Sequence, residues 1–99
     1  MRELPPPPDA LSDPNALEMV RGWIIDGNLQ ASVAAWVWQE NPVIWGRLLA
    51  DMAGHLADAI ATEKGLERDD VFQQIADSVR HHLAIPPDDL SGEFIAPLQ

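Results

Sequence analysis

The feature that most constrains this chain is the segment from Asn41 to Gly65, "NPVIWGRLLADMAGHLADAIATEKG". Asn41 suits the cap before a helix, Pro42 its first position, and Gly65 the left-handed residue past its end. Between them Trp45, Leu48, Leu49, Met52, Ala53, Leu56, Ala59 and Ile60 recur at helical spacing and form one broad apolar stripe. The pattern predicts the central core helix of the domain.

A second helix is predicted from Asp70 to Ala84, with Asp69 or Asp70 as its cap. Val71, Phe72, Ile75, Ala76, Val79 and Leu83 supply its buried face, and Pro86 and Pro87 forbid continuation. Upstream, "SDPNALEMVRGWIIDG" carries the same punctuation: Asp13 to cap, Pro14 to open, Gly27 to close. Ala16, Leu17, Val20, Trp23 and Ile24 share a helical face, so a helix is expected from Pro14 to Asp26. From Asn28 to Val33 the period changes. Leu29, Ala31 and Val33 alternate with Gln30 and Ser32, which predicts a half-buried strand.

The expected fold is therefore α+β and mostly helical, in the order helix–strand–helix–helix, with three packed helices and one short strand. A lone strand leaves backbone donors and acceptors unpaired, which is costly if they are buried. It must pair with the C-terminal segment around Phe94 and Ile95 or with the same strand of a second subunit, and two-fold antiparallel pairing would make a homodimer. Residues 1–12 read as an extended arm, since Pro5 to Pro8 favour polyproline II. Residues 13–85 form the compact domain, and residues 86–99 a tail that packs on it or on a partner. Trp36 and Trp38 would share a face on a continued strand. With Leu29, Ala31 and Val33 they make the expected interaction surface.

Composition excludes more than it suggests. A chain of 99 residues is one small domain with a thin core, which dimerisation would help. The net charge is −10, and the six bases (Arg2, Arg21, Arg47, Lys64, Arg68 and Arg80) are scattered. Nucleic-acid binding draws on clustered cations, so no nucleic-acid partner is expected, and an anionic membrane surface would be repelled too. The longest apolar run, Val33 to Trp38, is far short of the ~20 residues of a spanning helix. The amino terminus lacks the apolar stretch of a signal peptide. With no cysteine there is no disulfide framework or thiolate site, which fits a soluble cytoplasmic protein.

One constellation carries potential chemistry. Asp51, His55 and Asp58 fall at helical spacing and could converge on a divalent metal, or Asp51 could orient His55 as a general base. Against this, Arg47 stands four residues before Asp51 and competes for its carboxylate, and a histidine at the edge of an apolar face needs no function. No cofactor is expected. His81 and His82, being adjacent on a helix, point about 100° apart and cannot chelate one ion together.

The run Trp38, Asn41, Pro42, Trp45, Gly46, Leu48, Leu49, Ala50, Asp51 and His55 resembles a small uncharacterised bacterial domain family of unknown function. In it a tryptophan-rich turn precedes a Trp-Gly-x-Leu-Leu-Ala-Asp helix with a histidine one turn later. The likeness spans most of residues 3–95. It implies bacterial origin and a compact α+β fold, and supplies no activity.

Three functions stay open: a small acidic, non-enzymatic interaction domain acting as a homodimer; a metal-assisted or acid–base enzyme centred on Asp51, His55 and Asp58; and an acidic inhibitor or antitoxin of a basic protein.

Overall fold

The fold was obtained as a computed structural model and describes residues 1–85. Its elements are α1 (Pro8–Ser12), β1 (Val20–Ile25), β2 (Asn28–Val33), α2 (Val43–Lys64) and α3 (Arg68–Ala84). Helices hold 52% of the described residues beside one two-stranded sheet, so the chain is a mostly helical α+β fold. The order is helix–strand–strand–helix–helix, one strand more than the pattern suggests. The chain divides into two compact units, Met1–Trp36 and a second that begins at Val37.

In the first unit the helix expected from Pro14 to Asp26 does not form. Asp13 and Pro14 open a turn instead: the Asn15 N–H donates to Asp13 Oδ1 at 2.9 Å and the Ala16 N–H to the Asp13 carbonyl at 3.1 Å. The chain then extends into β1. Val20, Trp23, Ile24 and Ile25 are β-branched or aromatic and lose side-chain freedom in a helix, while Gly22 weakens one further. Asp26 and Gly27 decide the matter. Both have positive φ, 53° and 80°, the geometry of a two-residue hairpin loop whose twist matches the flanking strands. Gly27, read as a helix stop, is the second residue of that loop; both roles need a left-handed residue, so glycine alone does not distinguish them.

β1 and β2 pair antiparallel, Val20 opposite Val33 through Ile25 opposite Asn28, and the Ala34 N–H extends the ladder to the Met19 carbonyl at 2.9 Å. The strand boundaries Asn28 to Val33 are as the alternation predicts. Among the described residues its partner is β1, so the strand is not alone and the argument for a dimer from a lone strand loses its premise. The expected tail, residues 86–99, lies outside the described residues.

Cross-strand neighbours share a face. Val20, Gly22, Ile24, Leu29, Ala31 and Val33 therefore lie on one side, and Trp23 on the other. In the arm expected to be extended, Pro8–Ser12 closes into a short helix with Pro8 in its first turn. Arg21 links neighbouring segments, donating from Nη2 to Glu18 Oε2 at 2.8 Å and approaching Glu3 Oε2 at 3.8 Å.

In the second unit, residues 37–40 form turns, and the Asn41 N–H donates to the Trp38 carbonyl at 2.9 Å. A strand continuing through Trp36 and Trp38 is not formed. α2 begins beside Asn41 and Pro42 as expected, although Asn41 offers its main-chain carbonyl, to the Ile44 N–H at 3.1 Å, rather than its side chain. Gly65 ends the helix at φ 66°, and the Leu66 N–H returns to the Ala61 carbonyl at 3.0 Å. α3 starts two residues before the expected Asp70, with Glu67 at the cap position, and stops at Ala84, where the following Ile85 is extended.

The α2–α3 core consists of Ala57, Ala61 and Val71, with Phe72 and Ile75 packed against it. This corrects the picture of α2 as a core helix buried along its broad stripe. Leu49, Leu56 and Met52 are 60%, 52% and 42% exposed, whereas Ala57 and Ala61, about 120° around the helix, are buried. Small side chains let two helices approach closely, so the alanine face takes α3 and the bulky face is left outward.

Candidate functional site

Two of the residues singled out for chemistry, Asp51 and His55, lie along an open groove of about 520 Å³ on the first half of α2. Trp38, Ile44, Leu48 and Met52 give it apolar walls, and Arg47, Asp51 and His55 give it polar ones. Helical spacing sets the polar row: residues four apart stand one turn above one another.

Trp38 and Trp45 shape the upper end. The Trp45 indole N–H donates to the Val37 carbonyl at 2.8 Å, and its ring meets Trp38 edge-on, with centroids 5.7 Å apart and planes at 74°. Trp38 itself has φ 59°, a left-handed conformation that costs a non-glycine residue roughly 1–2 kcal/mol. It persists because the turn bond to Asn41 and the contact with Trp45 hold it on both sides.

The trio Asp51, His55 and Asp58 is not brought together. Arg68 at the start of α3 donates from Nε to Asp58 Oδ1, and its guanidinium also lies 3.4 Å from Asp69 and 5.6 Å from the Phe72 ring centroid. Asp58 thus fastens α3 to α2, while Asp51 and His55 line the groove. No group of three or more His, Cys, Asp or Glu side chains suited to a metal occurs among the described residues. The expected claim of Arg47 on Asp51 is not made either: among the described residues the ion pairs involve Arg21, Arg68 and Arg80. Near the end of α3, the His81 and His82 rings stand at 88° to each other, and His82 Nδ1 donates to the Ser78 carbonyl at 2.7 Å.

Of the expected interaction residues, Leu29 is 52% exposed at the hairpin tip beside Ile24 at 73%, while Ala31 and Val33 are half-buried. Trp36 ends the first unit, and Trp38 pairs with Trp45 rather than with it. A second groove, about 430 Å³, runs within the first unit between the arm (Leu4, Pro7) and β1 (Val20, Trp23). There the Arg21 guanidinium hydrogen-bonds Glu18 and holds its carboxyl below the usual 4.5.

Sequence reasoning missed the outward turn of the α2 stripe. The available signal was the row Gly54, Ala57 and Ala61, a second, small-residue face on the same helix. What the outer face can do is make contacts: apolar side chains at its centre and solvated polar ones at its rim are the anatomy of an interface.

A β-hairpin unit followed by a packed helix pair defines a small α+β domain, and the comparisons agree with that class. The chain belongs to the family described as a domain of unknown function, DUF5076, whose model matches residues 3–87. It is similar, at 31% identity and a TM-score of 0.70 over 94% of each chain, to a solved structure described as "a putative pyruvate dehydrogenase from the photosynthetic bacterium Rhodopseudomonas palustrus CGA009". No curated protein matches. Among the described residues no helix is long and apolar enough to cross a membrane.

Proposed function

We propose that this chain is a non-enzymatic, cytoplasmic bacterial domain that homodimerises and acts through protein contacts. One observation carries the reading. Among the described residues no large side chain is fully buried, while Leu49, Met52 and Leu56 stand exposed on one helix. A domain of this size has little core to spare, and apolar surface gathered in one place is worth most when a partner covers it. The absence of cysteine suits a reducing compartment, and the similar bacterial structure supports the origin. Light scattering on the eluting protein tests the proposal: a dimer is expected, and a monomer at high micromolar concentration would remove it.

A second reading is enzymatic. It rests on the pyruvate dehydrogenase description of the similar structure and on Asp51 and His55 lining one groove. It ranks lower because Arg47, Asp51 and His55 are all exposed, and charges facing water have little leverage on a reacting group. Pyruvate consumption with an artificial electron acceptor would reveal it. An acidic inhibitor of a basic protein remains the third reading, supported by the charge of −10; a basic partner recovered with the native protein would favour it.

A further inference from the structure

α2 has two different faces, and they suit two different neighbours. Its small face, Ala57 and Ala61, takes α3. Its bulky face repeats every three and four residues: Trp45, Leu49, Met52, Leu56 and Ala59 form a central row with the spacing of a heptad seam. The positions flanking that row are Gly46, Ala53 and Ile60 on one side and Leu48, His55 and Thr62 on the other. None of these eleven positions from Trp45 to Thr62 is Asp, Glu, Lys or Arg, in a chain of which 22% is charged. The formal charges of α2 lie at Arg47, Asp51 and Asp58, off the row, and at its C-terminal end, where Glu63 is the next position of the row and Lys64 follows it.

We infer that the bulky face of α2 is the seam of the homodimer, packed antiparallel against α2 of a second copy, with each α3 on the outer flank of its own α2. The inference rests on the dimer proposed above and names its surface. Three considerations select a second copy as occupant. Two bodies of charge −10 repel, so contact is least opposed where acids are few. From Trp45 to Thr62 this face carries none, with Glu63 at its end the one acid the axis brings in, opposite Trp45. The row is also self-complementary. A two-fold axis near Gly54 sets Met52 opposite Leu56 and Leu49 opposite Ala59, large against small in the outer layer.

The available area is of the right order as well. At the exposures of Leu49, Met52, Leu56 and the flanking Ile60 the face offers roughly 400 Å² per protomer, about half of the ~800 Å² that each side of a stable interface buries. The other flanking positions extend it. The chain's own residues 86–99 fit the strip less well, since Asp88, Asp89 and Glu93 would bring acids onto a neutral surface.

The test combines disruption with cross-linking on the full chain. Leu49→Lys and Leu56→Lys each place two unpaired charges in the seam and should weaken dimerisation ~100-fold in sedimentation equilibrium. Leu29→Lys on the hairpin should leave it unchanged. Because the chain has no cysteine, His55→Cys, beside the axis, should couple efficiently to its symmetry mate through a short bismaleimide. Ala50→Cys, on the other side of α2, should not. A wild-type monomer overturns both the dimer and the seam. A wild-type dimer that survives both lysine variants, or cross-links only through Ala50→Cys, keeps the dimer and overturns this seam. If a lysine variant loses its helical circular dichroism, the His55→Cys result decides.

Discussion

The indole N–H of Trp45, in the first turn of α2, donates to the main-chain carbonyl of Val37 at 2.8 Å, tying the helix to the turn that precedes it. This bond spans eight residues and is partly shielded from water, where a hydrogen bond of this kind contributes on the order of 1 kcal/mol. Trp45→Phe keeps an aromatic ring against Trp38 and removes the donor. Urea unfolding should show a loss of about 1 kcal/mol, and an unchanged midpoint would mean that the bond is idle.

The left-handed backbone of Trp38 makes an unusual ordering testable. In most positions alanine is the more stable small replacement, because glycine frees the unfolded chain. At φ 59° the penalty falls on every residue with a Cβ. Trp38→Gly should therefore equal or exceed Trp38→Ala in stability, by up to about 1 kcal/mol, with both below the wild type because the Trp45 contact is lost. Thermal unfolding of the pair gives the order directly.

The hairpin loop responds to the same physics. Gly27 has φ 80° with open space where a Cβ would stand, so Gly27→Ala is opposed by backbone strain alone. A loss of about 1 kcal/mol is expected. Asp26→Asn, which suits the left-handed region as well or better, should leave stability unchanged or slightly raised. Chemical shifts of β1 and β2 would show whether the hairpin survives each change.

Acid should weaken the first unit through Glu18. The Arg21 hydrogen bond lowers the folded pKa of its carboxyl from 4.5, so the folded state binds this proton less readily than the unfolded chain. The pair therefore stabilises fully above pH 4.5 and loses its contribution as the pH falls through the lowered value. In Arg21→Gln that contribution is absent at every pH. The wild-type and variant stability curves should converge in acid and separate above the carboxylate range; parallel curves would show that the pair does not act this way.

How much of this was legible in the chain depends on whether a signal is local. Leu29, Ala31 and Val33 alternate with polar neighbours, and that period alone located β2 at Asn28–Val33. Pro42 and Gly65 bracket α2 because a missing N–H and a left-handed backbone are properties of single residues. The stretch before β2 failed for a related reason. Asp13–Pro14 and Gly27 serve turns as readily as helix ends, and the Asp26-Gly27 loop outweighed the helical spacing of Val20, Trp23 and Ile24.

The candidate site divides in the same way. That Asp51 and His55 share an edge of α2 follows from about 100° per residue. That Arg68 occupies Asp58 does not, since Arg68 belongs to another helix and meets Asp58 only when α3 folds back. The sequence by itself determined α2, α3, β2 and the apolar stripe of α2, because periodicity is a property of the chain. Only the tertiary structure decided that β1 partners β2 and that α3 chooses Ala57 and Ala61 over the bulky stripe. The physical reason is close approach: backbones draw together where side chains are small. An amphipathic pattern reports which face is apolar but not which of two apolar faces a given neighbour takes.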